Sequence, residues 1–351
     1  MRTHLSHTTL GLLLVLSASL HANETTIAPR IYNGDRVDVR QWPALAAIYY
    51  DTTHYNGFYG LYCSATVLDA NYVLTAAHCL YDGKALATSR LVYTSIAPQM
   101  GDESEFVANP EQAIRAAAFY VHPDFVNSSD YQGRAWPNDI AIIRLDQPLS
   151  LPAQAYLPLA SSADTYYYQK AGQEFVALGY GLTEKQTSGQ LLKITLNYVA
   201  NTDCELPAES TQICTSGQYN PTTQVNNTTC DGDSGGPLYW HNGSEYVQVG
   251  ITSFGWNGCS VTFSDHTAVF TKIDQYLPWI ERVKNDREAP ALVVTQAMRD
   301  NMVLDDANSR DEANQALSTT SSGGNISIWG LGVLLCCAIR RRKKDRFSLL
   351  R

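Results

Sequence analysis

Three short stretches hold the residue types from which nucleophilic attack on a carbonyl can be built. In Gly232-Asp-Ser-Gly-Gly-Pro237, Ser234 stands among glycines that let the backbone turn sharply and a substrate come close. The amides of Gly232 and Ser234 can then face outward as donors to an oxyanion. In Leu74-Thr-Ala-Ala-His-Cys79, His78 follows an apolar strand and adjoins a cysteine able to pin its backbone. In Asn138-Asp-Ile-Ala-Ile-Ile-Arg-Leu145, Asp139 heads a strongly apolar run, a costly place for a carboxylate unless a hydrogen-bonding group meets it. Nδ1 of His78 is the partner assigned to it. Taken singly, a Gly-rich loop is usually a plain turn and a lone histidine is usually structural. Together they supply a nucleophile, a base, a group that orients the base, and oxyanion donors, the set that acyl transfer near neutral pH requires.

Bringing these residues together calls for many short strands. Gly, Pro and Tyr are abundant, short apolar runs are separated by turn residues, and helical periodicity is scarce, so the reading is all-β. A chain of 351 residues accommodates one main domain plus extra segments. Cys63–Leu68 and Tyr72–Thr75 read as strands joined at residues 69–71. Leu238–Trp240 and Tyr246–Phe254 flank His241-Asn-Gly-Ser244, whose Asn-Gly pair supplies the positive φ of a tight turn. Ile273–Asn285 is the best helix candidate, with Ile273, Leu277 and Ile280 on one face and Pro278 as an interruption.

LTAAHC, DIAIIRL and GDSGGP, in this order and at this spacing, resemble the three signature blocks of the trypsin-like serine protease family. The resemblance covers about Ile31 to Asn285. It implies two six-stranded antiparallel β-barrels of the chymotrypsin type with a C-terminal helix, and a serine endopeptidase acting on protein or peptide substrates. By this match Ser234 attacks, His78 shuttles the proton and Asp139 holds its tautomer, while Gly232 and Ser234 form the oxyanion hole. The order His, Asp, Ser differs from that of α/β-hydrolases and argues against an esterase or lipase. A catalytically silent binding protein on the same fold would typically lack one of the three residues. Ser253-Phe-Gly255 resembles the segment whose backbone pairs with substrate, and Gly179-Tyr-Gly181 another family motif. The disulfides implied are Cys63–Cys79, Cys204–Cys214 and Cys230–Cys259.

Arg30-Ile31-Tyr-Asn-Gly34 resembles an activation site, where cleavage frees an amine that turns inward to Asp233. An activating protease is therefore an expected partner. The same alignment puts Thr228 at the base of the primary pocket, leaves Gly255 at its entrance open, and puts Ala268 where most members have glycine. Without a buried carboxylate at the base, an uncharged residue of moderate size is expected before the scissile bond; Asp265, in a loop longer than the family norm, is the alternative that would restore basic specificity. Asp102, Glu103, Glu105 and Glu111 lie around the loop that binds calcium in some members, and solvated acids are the plain alternative. No cofactor or other metal is expected.

Outside the body, residues 1–22 show the charged start, apolar run Leu10–Leu20 and small Ala22 of a secretory signal peptide, and residues 23–30 form a short propeptide. An exported body with six cysteines suggests three disulfides; zinc competes poorly, since neither a CxxC pair nor clustered histidines are present. The body is expected to span residues 31–286, followed by a polar linker over 287–322. Residues 323–351 carry Gly323-Gly324, the uncharged run Ile326–Ile339 and the cluster Arg340–Lys344. The run is short for a membrane span, and the cations behind it would stay cytoplasmic. This tail resembles the GlyGly-CTERM sorting tails of Gram-negative bacteria, implying transient membrane attachment, removal near Gly323-Gly324 and release to the surface or medium; a permanent anchor is the alternative. Net charge is −9, with seven basic residues and one acidic among the last twelve, so the other residues carry −15. With no basic stripe in the body, nucleic acid is excluded as a partner.

Overall fold

The strand Leu45–Thr52 is buried along nearly its whole length because both its faces are covered. Ala46 and Ile48 point into one core, whereas Leu45, Ala47 and Tyr49 point the other way and meet Leu178, Tyr180 and Tyr239. A computed structural model, which describes residues 31–302 apart from 32, 129–135, 182–188, 223 and 256–266, shows the origin of the two faces. Two closed, six-stranded antiparallel β-barrels pack against each other, and this strand lies at the seam.

The first barrel runs through Leu45–Thr52, Phe58–Val67, Tyr72–Thr75, Ala141–Leu145, Ile114–Val121 and Thr94–Pro98, which pairs back with the first. The second runs through Glu174–Gly179, Leu192–Val199, Gln212–Gly217, Thr267–Lys272, Tyr246–Phe254 and Pro237–His241, which closes on Glu174–Gly179. Each barrel has its own interior cluster, and the seam cluster joins them. Burying each large apolar side chain there contributes roughly 1.5–3 kcal/mol, so the seam fixes how the barrels face one another.

The two expected hairpins form, with local differences. Phe58–Val67 extends five residues before Cys63, and the turn to Tyr72 is held by Asp69 Oδ1, which accepts from the amides of Asn71 and Tyr72 at 2.9 and 3.1 Å. At His241–Ser244 only Gly243 takes the positive φ, 102°. Asn242 instead uses its side-chain oxygen to accept from the amides of Ser244 and Glu245.

The C-terminal helix is present but shorter than its apolar pattern suggests. Ile273–Gln275 is a single 3₁₀ turn, and the α-helix covers Leu277–Lys284, with Pro278 in its first turn, where the missing amide costs no hydrogen bond. Trp279, Ile280 and Val283 join the first barrel's core cluster, so the end of the second barrel's chain returns to the first.

Residues 287–302 do not behave as the polar linker expected there. Leu292–Val293 pairs antiparallel with Phe119 and Ala118, and the amides of Ala291 and Val294 donate to the carbonyls of Phe119 and Ala117, each at 2.8 Å. The pairing between Ile114–Val121 and Ala141–Leu145 shifts register between Ala116 and Ala118, which frees Ala117 for this extra strand. Arg299 is buried, its guanidinium donating to the carbonyls of Ala116 and Val92, while the Tyr93 hydroxyl donates to the Arg299 carbonyl at 2.9 Å. Polar composition conceals this strap because Arg299 satisfies main-chain acceptors and Val294 and Met298 supply the apolar contacts.

Candidate active site

His78 sits in the 3₁₀ turn Ala77–Leu80 that follows the strand Tyr72–Thr75, and the disulfide Cys63–Cys79 ties that turn to the neighbouring strand. Asp139 is delivered by a sharp reversal. Asn138 adopts φ 57°, its Oδ1 accepts from the Tyr276 hydroxyl at 3.0 Å, and its Nδ2 donates to the Asp124 carbonyl at 2.8 Å. The chain then enters the strand Ala141–Leu145 with the Asp139 carboxylate fully buried.

That carboxylate is surrounded by donors. Oδ1 accepts from the His78 amide at 2.8 Å, and Oδ2 faces His78 Nδ1 at 2.7 Å and accepts from Ser253 Oγ at 2.5 Å. Three charge-assisted hydrogen bonds of this kind offset the loss of water around a buried carboxylate. In a neutral imidazole with its proton on Nδ1, Nε2 is the acceptor left for another group.

Ser234 comes from the second barrel. Its carbonyl accepts from the Ser64 amide at 2.8 Å and lies 3.7 Å from Cys79 Sγ, so the loop is fastened beside the disulfide that flanks His78. Gly235 donates to the Thr252 carbonyl and Gly236 to the Asp233 carbonyl, each at 2.8 Å. Only glycine fits at Gly235: φ is 81°, and a Cβ there would lie 2.0 Å from Thr75 Oγ1 and 2.4 Å from the Ser64 carbonyl. Gly232, at φ 96°, gives the turn its second left-handed residue.

Asp233 is wholly buried, accepting from the amides of Gly181 and Cys230 at 2.8 and 2.7 Å. Burial pushes its carboxyl up to about 7 although both hydrogen bonds pull it down. No cation faces it among the described residues. Ile31, also fully buried, joins the second barrel's core, its carbonyl accepting from Gly34 at 2.6 Å. Asp231, next to Gly232, is held above the ordinary carboxylate range by the surrounding protein, with the nearby His78 acting in the opposite direction.

Two contacts were not foreseen from the sequence. The resemblance gives Ser253 a main-chain role, whereas its hydroxyl reaches the Asp139 carboxylate. Trp136 stacks on the His78 imidazole with ring centroids 4.4 Å apart and planes 24° apart, and meets Phe254 edge-on at 6.1 Å. The available signal was an aromatic residue three positions before Asp139.

Of the pocket residues, Thr228 and Ala268 are buried, Ala268 on the strand Thr267–Lys272, where its carbonyl accepts from Thr215 Oγ1 at 3.2 Å. A Cβ built on Gly255 meets nothing within 4 Å among the described residues. Asp265 and Cys259 lie outside the described residues, as do Arg30 and everything beyond Met302. Cys204–Cys214 is bonded, and Cys230 is likewise a disulfide half. Two of the four acids expected around a calcium loop make local hydrogen bonds. Asp102 accepts from the Ser104 amide and caps the helix Glu103–Ala108, and Glu105 accepts from the Gly101 amide. Among the described residues the only convergent group of metal-ligand types is Cys63, His78 and Cys79, whose two sulfurs are bonded to each other. No helix among the described residues is long and apolar enough to cross a membrane.

The sequence model of the family described as Trypsin matches residues 31–280. CLIP domain-containing serine protease B4 of Anopheles gambiae is 29% identical over 269 residues, covering 73% of this chain and 70% of its own length. CLIP domain-containing serine protease B10 of the same mosquito is 29% identical over 276 residues, with the same coverage. Serine protease SSP1 of the centipede Scolopendra subspinipes is 28% identical over 257 residues, covering 72% of this chain and 82% of itself.

Proposed function

The chain belongs to the trypsin family of serine endopeptidases, and from that premise we propose that His78, Asp139 and Ser234 carry out its peptide hydrolysis. Ser234 Oγ attacks the scissile carbonyl while Nε2 of His78 takes its proton. The imidazolium then donates that proton to the departing amine, leaving an acyl group on Ser234. Water attacks the acyl carbon with His78 again as base, which releases the new carboxyl terminus and restores the enzyme. Asp139, with its other oxygen on the His78 amide and Ser253 on the shared one, fixes the ring and favours its charged form. The amides of Gly232 and Ser234 stabilise the oxyanion. The observation that carries this assignment is the 2.7 Å contact between His78 Nδ1 and a buried carboxylate on the strand that the sequence paired with it. Covalent labelling by a fluorophosphonate, retained by the wild type and lost in Ser234→Ala, tests it; labelling that survives this substitution refutes it.

Activation after Arg30 completes the reading. The new amine of Ile31 would pair with Asp233, a buried acid that among the described residues accepts from two amides, and this pair would order the Gly232–Ser234 loop. A buried ion pair contributes little net stability and is best used as a switch. Full activity after the new amine is blocked, or in Ile31→Gly after cleavage, would rule it out. Thr228 at the pocket base favours an uncharged side chain before the scissile bond, which a library varied at that residue will measure; a strong arginine preference abolished by Asp265→Ala would reverse the assignment. Export by residues 1–22 and removal of the tail near Gly323-Gly324 follow from the terminal motifs. The relatives named above are arthropod proteins, so the Gram-negative origin rests on the tail alone. Intact mass of the released protein decides: retention of Trp329 contradicts tail removal.

A further inference from the structure

The imidazole of His78 is constrained on an edge and on a face by different groups. Asp139 and its hydrogen bonds hold the Nδ1 edge. The indole of Trp136 covers one face at 4.4 Å with the planes 24° apart, close to a parallel stack. Trp136 is itself backed by Phe254, edge-on at 6.1 Å, and belongs to a small apolar cluster with Leu206 and Val269 behind it. The histidine side chain retains 15% exposure, so water reaches only a small part of the ring.

During acyl transfer this ring alternates between neutral and cationic forms. An indole face attracts a cation through its quadrupole, most strongly where water is excluded, and it also limits rotation of a flat ring stacked on it. We propose that Trp136 is a positioning residue for His78, holding the plane of its imidazole and favouring the imidazolium that forms in the transition state. The inference rests on the His78, Asp139 and Ser234 assignment. It goes beyond it by giving a residue outside the three signature blocks a part in the chemical step. The charged groups facing His78 among the described residues are Asp139 on its Nδ1 edge and Asp231 beside the Ser234 loop, and both stay unchanged in the variants below.

Trp136 lies directly beside His78, where a bound peptide would also come close, so peptide kinetics alone would mix this role with substrate contact. The discriminating probe is a small fluorophosphonate with no peptide portion, reacted with the enzyme activated after Arg30. In Trp136→Leu the phosphonylation rate constant falls about 2- to 30-fold, the span of a cation–π contact from exposed to desolvated, and the acid limb of its pH profile moves to lower pH. Trp136→Phe keeps a weaker aromatic face and falls between wild type and Leu on both measures. It also serves as the deciding variant if Trp136→Leu fails to unfold cooperatively. Unchanged rate and unchanged limb in the folded variants overturn the proposal, as does a loss seen only with peptides. If wild type is not labelled, or Ser234→Ala still is, the catalytic assignment itself fails; if both behave as assigned while the Trp136 variants match wild type, this inference alone fails.

Discussion

Asp139 and Asp233 are both fully buried carboxylates, one from each barrel, and their surroundings differ in kind. Asp139 receives a backbone amide, an imidazole and a hydroxyl, all from elements whose course is fixed by strand pairing and a disulfide. Asp233 receives two amides, sits in a turn built on left-handed glycines, and is pushed up to about 7 by burial. The first is a finished arrangement that needs nothing from outside. The second has no cation facing it among the described residues, which suits the proposed pairing with the Ile31 amine. The difference teaches that a buried acid is read by counting its donors rather than by its depth.

The comparison can be broken most severely at the finished end. Asp139→Asn leaves the shape intact but inverts the hydrogen-bond pattern at Nδ1 and so favours the wrong tautomer; kcat should fall about 10⁴-fold with the fold unchanged by circular dichroism. At the incomplete end the effect is on stability and depends on pH. An unfolded aspartate ionises near its ordinary 3.8 and the folded Asp233 near about 7, so the folded precursor holds an extra proton between those values. Its stability therefore falls as pH rises from about 4 to about 7, a slope that denaturant titration of an uncleaved Ser234→Ala precursor should show. Asp233→Asn should remove the slope, and so should cleavage after Arg30 if the Ile31 amine supplies the missing charge. Ser253→Ala takes one donor from the Asp139 carboxylate and should lower kcat about 10-fold, in line with about 1.5–3 kcal/mol for a hydrogen bond to a charged group, shared between catalysis and stability. The smallest effect on catalysis is remote. Ending the chain at Asp286 removes the strap from the strand Ile114–Val121 and should cost about 1–3 kcal/mol, read as a melting temperature several degrees lower with kcat preserved.

What could be read in advance followed the range over which the physics acts. The positions of the turns at 69–71 and 241–244, the apolar approach to His78, and the costly acid at the head of Ala141–Leu145 are all consequences of neighbouring residues, whereas the side-chain acceptors that hold those turns, Asp69 and Asn242, emerged only in the structure. Leu45–Thr52 shows where such reading stops, since a strand buried on both faces has no alternation to betray which face meets which core. The strap at 287–302 was hidden for a related reason, as Arg299 looks solvated until its carbonyl acceptors on Val92 and Ala116 are known.

From sequence alone came the residue types, their order along the chain, and the demand that a glycine-flanked serine, a histidine beside a cysteine and a buried aspartate find one another. Tertiary structure alone decided that Ser253 completes the shell of Asp139, that Trp136 covers His78, and that the chain's last described segment returns to the first barrel. The reason is geometric. Ser253 lies 114 positions from Asp139, and a contact over that separation is set by how two barrels pack, which no local pattern of residues encodes.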